Sequence, residues 1–263
     1  MDDTRRIQVL RHPAGLRQDD LVVTEEPLEI RVEGRPLSVT MRSPGHDREL
    51  AAGFLYAEGV IDGADDLSAM RKVRSPQDPQ DNTLDALLAP GVSLDEARFA
   101  SAQRSVFASS SCGVCGKATL ENVLRDLPPL TTPRRASPEL LLSLPPRMLP
   151  AQAAFHATGG VHAAALFDFD GGLEVLREDV GRHNAVDKVL GWRLLQDRVP
   201  VDDRVLLVSG RIGFEIVQKA LVARIPVLAA VGAPTSLAVD LARVSGMQLV
   251  GFLRRDSFNE YSP

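Results

Sequence analysis

Residues 204–254 read RVLLVSGRIGFEIVQKALVARIPVLAAVGAPTSLAVDLARVSGMQLVGFLR, and this stretch decides the fold. Three short apolar runs, 204–210, 225–232 and 247–254, alternate with two segments whose apolar residues recur at helical spacing. Strands that alternate with helices in this way are typical of crossover connections. The stretch therefore predicts an α/β layer with largely parallel strands.

The same alternation extends upstream to about residue 153. Residues 153–179 predict two strands around the turn Asp170-Gly171-Gly172, and residues 184–195 predict a helix with Asn184 as its N-cap. Before them, residues 127–150 are rich in proline, which predicts a linker or a short helix from Pro138 to Leu144.

The first hundred residues follow a different pattern. Apolar and polar residues alternate in 28–32 and in 37–41, on either side of a glycine and a proline, which predicts a hairpin with one buried face. Residues 1–20 are polar and are expected to be loosely ordered. We therefore predict a small α+β domain at residues 1–104 and an α/β domain at 105–263.

The composition limits the classes of function. The chain has 263 residues, 44% hydrophobic and 25% charged, which is the balance of an ordinary globular protein with a sizeable core. A net charge of -5 gives no general attraction to nucleic acid or to anionic membranes. The start of the chain lacks the apolar region of a signal peptide, and no uncharged apolar run is long enough to span a bilayer. We expect a cytoplasmic protein with no nucleic-acid or membrane partner.

The two cysteines, Cys112 and Cys115, stand in SSSCGVCGK at C-x-x-C spacing. A structural zinc site needs four ligands and a catalytic one usually three, whereas this pair supplies two. The H-x-E motif that accompanies zinc-binding cysteines in nucleobase deaminases does not occur in the chain. The spacing therefore predicts no metal site.

Three other interpretations of the pair stay open on the residues alone. The first is a dithiol redox pair, the second is two inert buried cysteines, and the third is a nucleophile that accepts sulfur. Gly113 and Gly116 would allow the movement that a sulfur carrier needs, because glycine tolerates many backbone conformations. Lys117 and a helix beginning near Cys115 would favour the reactive thiolate over the thiol.

Three turns of the second half carry small residues and precede predicted helices: 181–184 (GRHN), 209–213 (SGRIG) and 232–236 (GAPTS). If the strands before them are parallel, all three turns lie at the carboxyl ends of the strands, where α/β proteins bind ligands. Backbone N–H groups at helix starts favour anions, and Arg182 and Arg211 add positive charge. Together the turns predict a phosphate-bearing ligand.

Four further side chains are candidates for the same cleft. His156 and His162 flank a Thr-Gly-Gly turn, where they either line the cleft or belong to the core. Arg254 and Arg255 follow the last predicted strand, where they either contact phosphate or end the strand in solvent.

The blocks SSSCGVCGK, FHATGGVHAAALFD, REDVGRHNAVDKVLG, IPVLAAVGAPTSLAVDLA and LVGFLR occur in an order that resembles the formate dehydrogenase accessory sulfurtransferase family, FdhD/NarQ. The resemblance covers roughly residues 20–261. It implies a three-layer α/β sandwich similar to cytidine deaminase, preceded by a small α+β domain, and a homodimer.

The resemblance also implies a function. Members of the family accept sulfur from a cysteine desulfurase as a persulfide, which here would form on Cys112, with Cys115 as its partner. They pass the sulfur to the bis(molybdopterin guanine dinucleotide) form of the molybdenum cofactor before its insertion into formate dehydrogenase. A guanine nucleotide such as GDP is expected to mimic this cofactor. The alternatives are a dithiol oxidoreductase and a non-catalytic chaperone that binds the molybdenum cofactor.

The family's cofactor-binding segment falls here on six residues: Phe252, Leu253, Arg254, Arg255, Asp256 and Ser257. The sequence departs from the family at the last two, where a further glycine or basic residue is frequent. Arg254 and Arg255 are therefore the stronger predicted phosphate contacts.

Overall fold

Two sheets and a separate hairpin organise the residues that the computed structural model describes, which are 4–74, 81–109, 129–131 and 133–263. The strands are β1 (Thr4–Arg11), β2 (Leu16–Val23), β3 (Glu26–Val32), β4 (Arg35–Arg42), β5 (Leu67–Lys72), β6 (Thr83–Leu88), β7 (His162–Phe167), β8 (Leu173–Asp179), β9 (Val205–Val208), β10 (Val227–Ala230), β11 (Gln248–Gly251) and β12 (Asn259–Ser262). The α-helices are α1 (Asp47–Ala57), α2 (Glu96–Ser109), α3 (Pro138–Met148), α4 (Ala153–Thr158), α5 (Arg182–Leu194), α6 (Phe214–Val222) and α7 (Ser236–Ser245).

The larger sheet has six strands in the order β12-β11-β10-β9-β7-β8. Strands β9, β10 and β11 are parallel, while β7 is antiparallel to both of its neighbours, β8 and β9. Strands β8 to β11 therefore all run in one direction, and their carboxyl ends meet at one side of the sheet. We call this side the carboxyl edge; the turns that follow those strands, residues 180–182, 209–213, 231–235 and 252–254, lie along it. The predicted parallel layer is confirmed.

Helices cover both faces of this sheet. One set of alternating strand residues, including Leu206 and Leu228, packs in a core with apolar residues of α5, α6 and α7. The opposite set, including Leu207 and Ala229, packs in a second core with residues of α3 such as Leu144. Period-2 alternation places successive strand residues on opposite faces, so both faces of these apolar runs are buried. The predicted three-layer α/β sandwich is confirmed.

The smaller sheet has the strand order β4-β3-β6-β5, and it contains the hairpin predicted at residues 28–41. Its buried residues, such as Ile30 and Leu84, belong to the same core cluster as Leu206 of the larger sheet. The two sheets are thus joined through one continuous core. The predicted domain boundary after residue 104 falls inside α2, and the division into two domains stays a prediction.

Three elements differ from the sequence-based expectations. Where loose order was expected for residues 1–20, strands β1 and β2 pair as an antiparallel hairpin whose side chains are mostly exposed. Helix α5 begins at Arg182 with Gly181 as its N-cap, so the prediction of Asn184 as the N-cap is wrong. The side chain of Asn184 is instead bound to Met41 and Asp179. Helix α3 continues to Met148, beyond its predicted end at Leu144.

Within the described ranges, none of the helices has both the length and the apolar character that crossing a membrane requires.

Candidate functional site

Cys112 and Cys115 lie outside the described residues, so the roles predicted for them stay predictions. In the part of the chain that the structure describes, no three His, Cys, Asp or Glu side chains are grouped so that they could hold a metal ion. The site that the described residues form lies at the carboxyl edge.

Three helices begin at this edge. Their N-caps are Gly181 for α5, Gly213 for α6 and Thr235 for α7, and at none of them does a side chain cap the helix with a hydrogen bond. The first N–H groups of an α-helix have no partner within the helix, and the aligned peptide dipoles place partial positive charge there. The edge thus gathers three places that favour an anion.

The turns are packed against one another by their main chains. Gly232 N donates to Gly210 O at 3.2 Å, and Phe252 N donates to Gly232 O at 3.0 Å. A Cβ added at Gly232 would collide with the carbonyl of Gly210, so a residue with a side chain does not fit there. The turns after β9, β10 and β11 therefore form one hydrogen-bonded row along the edge.

His162 is the first residue of β7 and lies at this edge because β7 runs antiparallel to β9. A Cβ added at Gly210 would lie 3.2 Å from His162 Nδ1 and 3.6 Å from Arg182 Cβ, which places the histidine and the arginine together against that glycine. The ring nitrogens of His162 have no hydrogen-bond partner among the described residues. Of the two cleft histidines considered from the sequence, this is the one at the edge.

Burial, followed by the nearby charge of Arg182, lowers the pKa of His162; Asp179 acts in the opposite direction. The imidazole is therefore neutral at neutral pH. A neutral imidazole offers one donor and one acceptor, whereas Arg182 and Arg211 supply the fixed positive charge of the edge.

His183, the next residue on α5, has a different role. Its Nε2 lies 3.1 Å from Glu215 Oε2, so it connects the first turn of α5 to the first turn of α6. Burial, together with the charges of Arg182, Lys219 and His162, lowers the pKa of His183 to about 3. Because the ring is neutral at neutral pH, this contact is not an ion pair there.

A buried ion pair also joins the same two helices. Lys219 Nζ lies 2.8 Å from Asp187 Oδ1 and 3.5 Å from Glu58 Oε1. Burial lowers the pKa of Lys219, but the carboxylates of Asp187 and Glu58 outweigh it, so the pKa is raised above its ordinary value. This lysine thus holds α5, α6 and the end of α1 together below the edge.

The predicted cofactor-binding segment is a turn at the carboxyl edge. Phe252 has a φ of 52°, in the left-handed region that is unusual for a bulky residue, and its side chain is 44% exposed. The side chain of Arg254 is exposed, and its Nη1 donates to Val231 O at 2.6 Å. The guanidinium group therefore lies at the carboxyl end of β10. Phe252 and Arg254 are thus held beside the neighbouring turn.

The other four residues of the segment are placed differently. Leu253 is fully buried in the core that α3 covers, so its side chain does not reach the edge. Arg255, Asp256 and Ser257 are exposed, and Ser257 Oγ donates to Asp256 Oδ1 at 3.3 Å. Ser257 O also accepts a hydrogen bond of 2.8 Å from Arg254 N, which closes the turn.

His156 lies on α4, where its side chain is exposed and its Nε2 is 2.8 Å from Leu149 O. The imidazole of His156 thus has a hydrogen-bonding partner within the chain, and its position needs no ligand to explain it. Two residues that sequence reasoning did not select, Asp179 and Lys188, form a fully buried ion pair directly below the turn after β8. An acid at a strand end and a lysine in a helix carry no sequence signal of burial.

Comparison with known proteins gives a consistent result. Residues 23–263 match the model of the FdhD/NarQ family. The sulfur carrier protein FdhD of Streptomyces avermitilis is 50% identical over 99% of this chain and 93% of its own length. The protein of the same name from Mycobacterium tuberculosis is 48% identical over 98% of this chain and 95% of its own length.

A solved structure is similar over nearly the whole fold. It is the crystal structure of a candidate formate dehydrogenase accessory protein from Desulfotalea psychrophila, with a TM-score of 0.73 and 26% sequence identity. The match covers 99% of this chain and 96% of that one.

Proposed function

Because the chain belongs to the FdhD/NarQ family, we propose that it is a sulfur carrier in the maturation of formate dehydrogenase. Two relatives that bear the name sulfur carrier protein FdhD align with almost the entire chain at about 50% sequence identity, which supports the same role here. The similar solved structure, of a candidate formate dehydrogenase accessory protein, supports the connection with that enzyme.

The sulfur is carried on Cys112. A cysteine desulfurase presents a persulfide, and the Cys112 thiolate attacks its outer sulfur. A sulfur–sulfur bond forms to Cys112 while the one on the desulfurase breaks, and the desulfurase cysteine leaves as a thiolate. Cys115, three residues further on, is the partner thiol. What supports this assignment is the family: SSSCGVCGK resembles the cysteine motif of FdhD/NarQ proteins, and relatives at about 50% identity bear the name sulfur carrier protein.

The acceptor of the sulfur is the bis(molybdopterin guanine dinucleotide) cofactor, which the protein holds as cargo before its insertion into formate dehydrogenase. The observation that carries this part of the proposal is the construction of the carboxyl edge. Three helix N-termini without side-chain caps lie along this edge, and Arg182 and Arg211 belong to the turns that precede two of them. This arrangement suits the phosphates of a dinucleotide, because both peptide N–H groups and arginine bind phosphate oxygens.

The segment 252–257 adds to the same site. Phe252 and Arg254 lie at its edge, next to the turn that contains Gly232. GDP carries the guanine and two of the phosphates of the cargo, so it is the simplest probe of the site. We propose that two copies of the chain act together as a homodimer in the cytoplasm.

The transfer is tested by intact-mass spectrometry after incubation with a cysteine desulfurase and L-cysteine. The wild type and Cys115→Ala are expected to gain one sulfur atom that a thiol reductant removes. Cys112→Ala is expected to gain none. If Cys112→Ala gains sulfur to the same extent as the wild type, Cys112 is not the carrier.

A further inference from the structure

The turn after β8 rests on a buried ion pair between two residues that the proposed function does not use. Lys188 Nζ lies 2.7 Å from Asp179 Oδ2, and the two side chains are 1% and 0% exposed. Lys188 Nζ also donates to Ser43 O at 3.0 Å and to Glu178 O at 3.2 Å. The ammonium group thus has three oxygen partners for its three N–H bonds.

Asp179 is equally well satisfied. Its Oδ1 accepts from Gly181 N at 2.8 Å and from Asn184 Nδ2 at 3.0 Å, and its Oδ2 accepts from Ser43 N at 3.2 Å besides Lys188. Ser43 Oγ in turn accepts from Val180 N at 3.1 Å. Two N–H groups of the turn, those of Val180 and Gly181, are therefore fixed by this cluster.

Asn184 extends the contacts to β4. Its Nδ2 donates to Met41 O at 2.7 Å, and its Oδ1 accepts from Thr40 Oγ1 at 3.2 Å. Residues 40–43 thus fasten both the turn and the first turn of α5. We call Ser43, Asp179, Asn184 and Lys188 the buried clamp.

Asp179 and the turn that the buried clamp fixes lie directly before Arg182, one of the charged residues of the carboxyl edge. Arg182 follows Gly181, and it is the first residue of α5. A buried charge is costly unless it is paired and hydrogen-bonded, so the clamp keeps a single geometry in which every member is satisfied. That geometry fixes the direction in which Arg182 and the amino terminus of α5 face.

We propose that Lys188 and Asp179 are positioning residues of the ligand site: they hold the turn at 180–182 so that Arg182, the first residue of α5, meets a phosphate of the bound dinucleotide. This inference rests on the proposed function, because that function supplies the phosphate. It adds that residues 40–43, far away in the sequence, are part of the construction of the site.

The test measures GDP binding to the full chain by calorimetry. Arg182→Ala removes the charge that the clamp positions, and Lys188→Met removes the clamp's ammonium group at nearly the same side-chain length. Each is expected to weaken GDP binding ~10-fold or more, because small displacements of a binding group are costly. If Lys188 acts through Arg182, the double variant binds within ~2-fold of Arg182→Ala alone.

A matched control separates this effect from lost stability. Arg193 is also on α5 and is also buried, and its Nη1 lies 2.9 Å from Glu174 Oε1, but it belongs to the last turn of the helix. Arg193→Met is expected to lower the free energy of unfolding and to bind GDP like the wild type. If Lys188→Met does not fold, the paired variant Asp179→Asn/Lys188→Met, which leaves no buried charge unpaired, takes its place.

Three outcomes would overturn the proposal. In the first, the clamp variants bind GDP as tightly as the wild type. In the second, Lys188→Met weakens GDP binding by the same factor whether or not Arg182 is present. In the third, Arg193→Met weakens GDP binding as much as Lys188→Met does. Failure of the proposed function looks different: the wild type does not bind GDP, or Arg182→Ala binds like the wild type. In that case amide hydrogen exchange by NMR tests the positioning role without GDP. The amides of Val180 and Gly181 are expected to lose protection from exchange in the paired clamp variant but not in Arg193→Met. Unchanged protection in the paired variant would overturn the positioning role.

Discussion

Gly53 of α1 and Gly191 of α5 lie against each other where the two helices cross. A Cβ added at Gly191 would collide with the carbonyl of Glu49, and one added at Gly53 would collide with the carbonyl of Asp187. The backbones are therefore in direct contact, and this crossing joins the N-terminal part of the chain to the layer that carries the ligand site.

The first prediction concerns this crossing. We expect Gly191→Ala to lower the free energy of unfolding by about 3 kcal/mol or more, because the obstructing atoms are main-chain atoms of α1 and cannot turn aside. Urea denaturation measures the change. Gly63→Ala is the control, since a Cβ there meets no atom within 4 Å; its free energy of unfolding is expected to stay within about 1 kcal/mol of the wild type. Equal stability of Gly191→Ala and the wild type would contradict the described crossing.

The second prediction concerns the charge of the carboxyl edge. Arg211 is exposed in the turn that precedes α6, so Arg211→Ala is expected to weaken GDP binding ~10-fold while leaving the fold intact. Arg198, which lies 54% exposed near the opposite ends of the strands, provides the control, and Arg198→Ala is expected to bind GDP like the wild type. A similar loss in both variants would mean that GDP responds to the overall charge and not to this edge.

The third prediction concerns the pH dependence of stability. The pKa of His183 is about 3 in the folded chain and near its ordinary value of 6.5 in the unfolded chain. The unfolded state therefore takes up the proton first, so the stability that His183 contributes is complete above pH 6.5 and is lost as the pH falls toward 3. Between pH 7.5 and 5 the loss is expected to be about 1–2 kcal/mol.

His183→Gln isolates this contribution. Other groups titrate in the same range: burial raises the pKa of Asp187 to about 6, which acts in the opposite direction. Such effects are shared by both proteins and cancel in their difference. The difference in the free energy of unfolding between the wild type and His183→Gln, measured in urea at each pH, should therefore shrink on acidification. A constant difference would mean that His183 is not held neutral.

The fourth prediction concerns the cysteines in cells. In a strain that lacks its own copy of the gene, we expect the wild type to restore formate dehydrogenase activity and Cys112→Ala to restore none, because no persulfide forms without the carrier thiol. Ser109→Ala, in the same stretch, is the control and should restore activity. A chaperone that only binds the molybdenum cofactor would tolerate the loss of Cys112.

The larger sheet and its carboxyl edge were predictable from local pattern. The apolar runs around Leu206 and Leu228 are short, doubly buried strands, and each ends in a turn that contains glycine. Parallel strands place all such turns on one side, so the gathering of Arg182 and Arg211 follows from the order of the elements. The pattern could not show that Leu253 points into the core, because that depends on which face of the sheet α3 covers.

The buried clamp was not predictable in the same way. Ser43 and Asp179 are 136 residues apart, and the pairing between them follows from how the two sheets pack. Lysine in a helix is usually solvent-exposed, so nothing in the sequence marks Lys188 as buried. The β1–β2 hairpin was missed for a related reason: most of its side chains are exposed, and no apolar face distinguishes it from a loop.

The dependence of the 180–182 turn on residues 40–43 also bears on biosynthesis. The N-terminal sheet leaves the ribosome long before Asp179 does, yet Asp179 can complete its hydrogen bonds only after that sheet has docked. A chain that has folded only its second half presents Arg182 on an unfastened turn. Under the proposed function, the ability to bind the dinucleotide would then arise only after the two sheets have packed together.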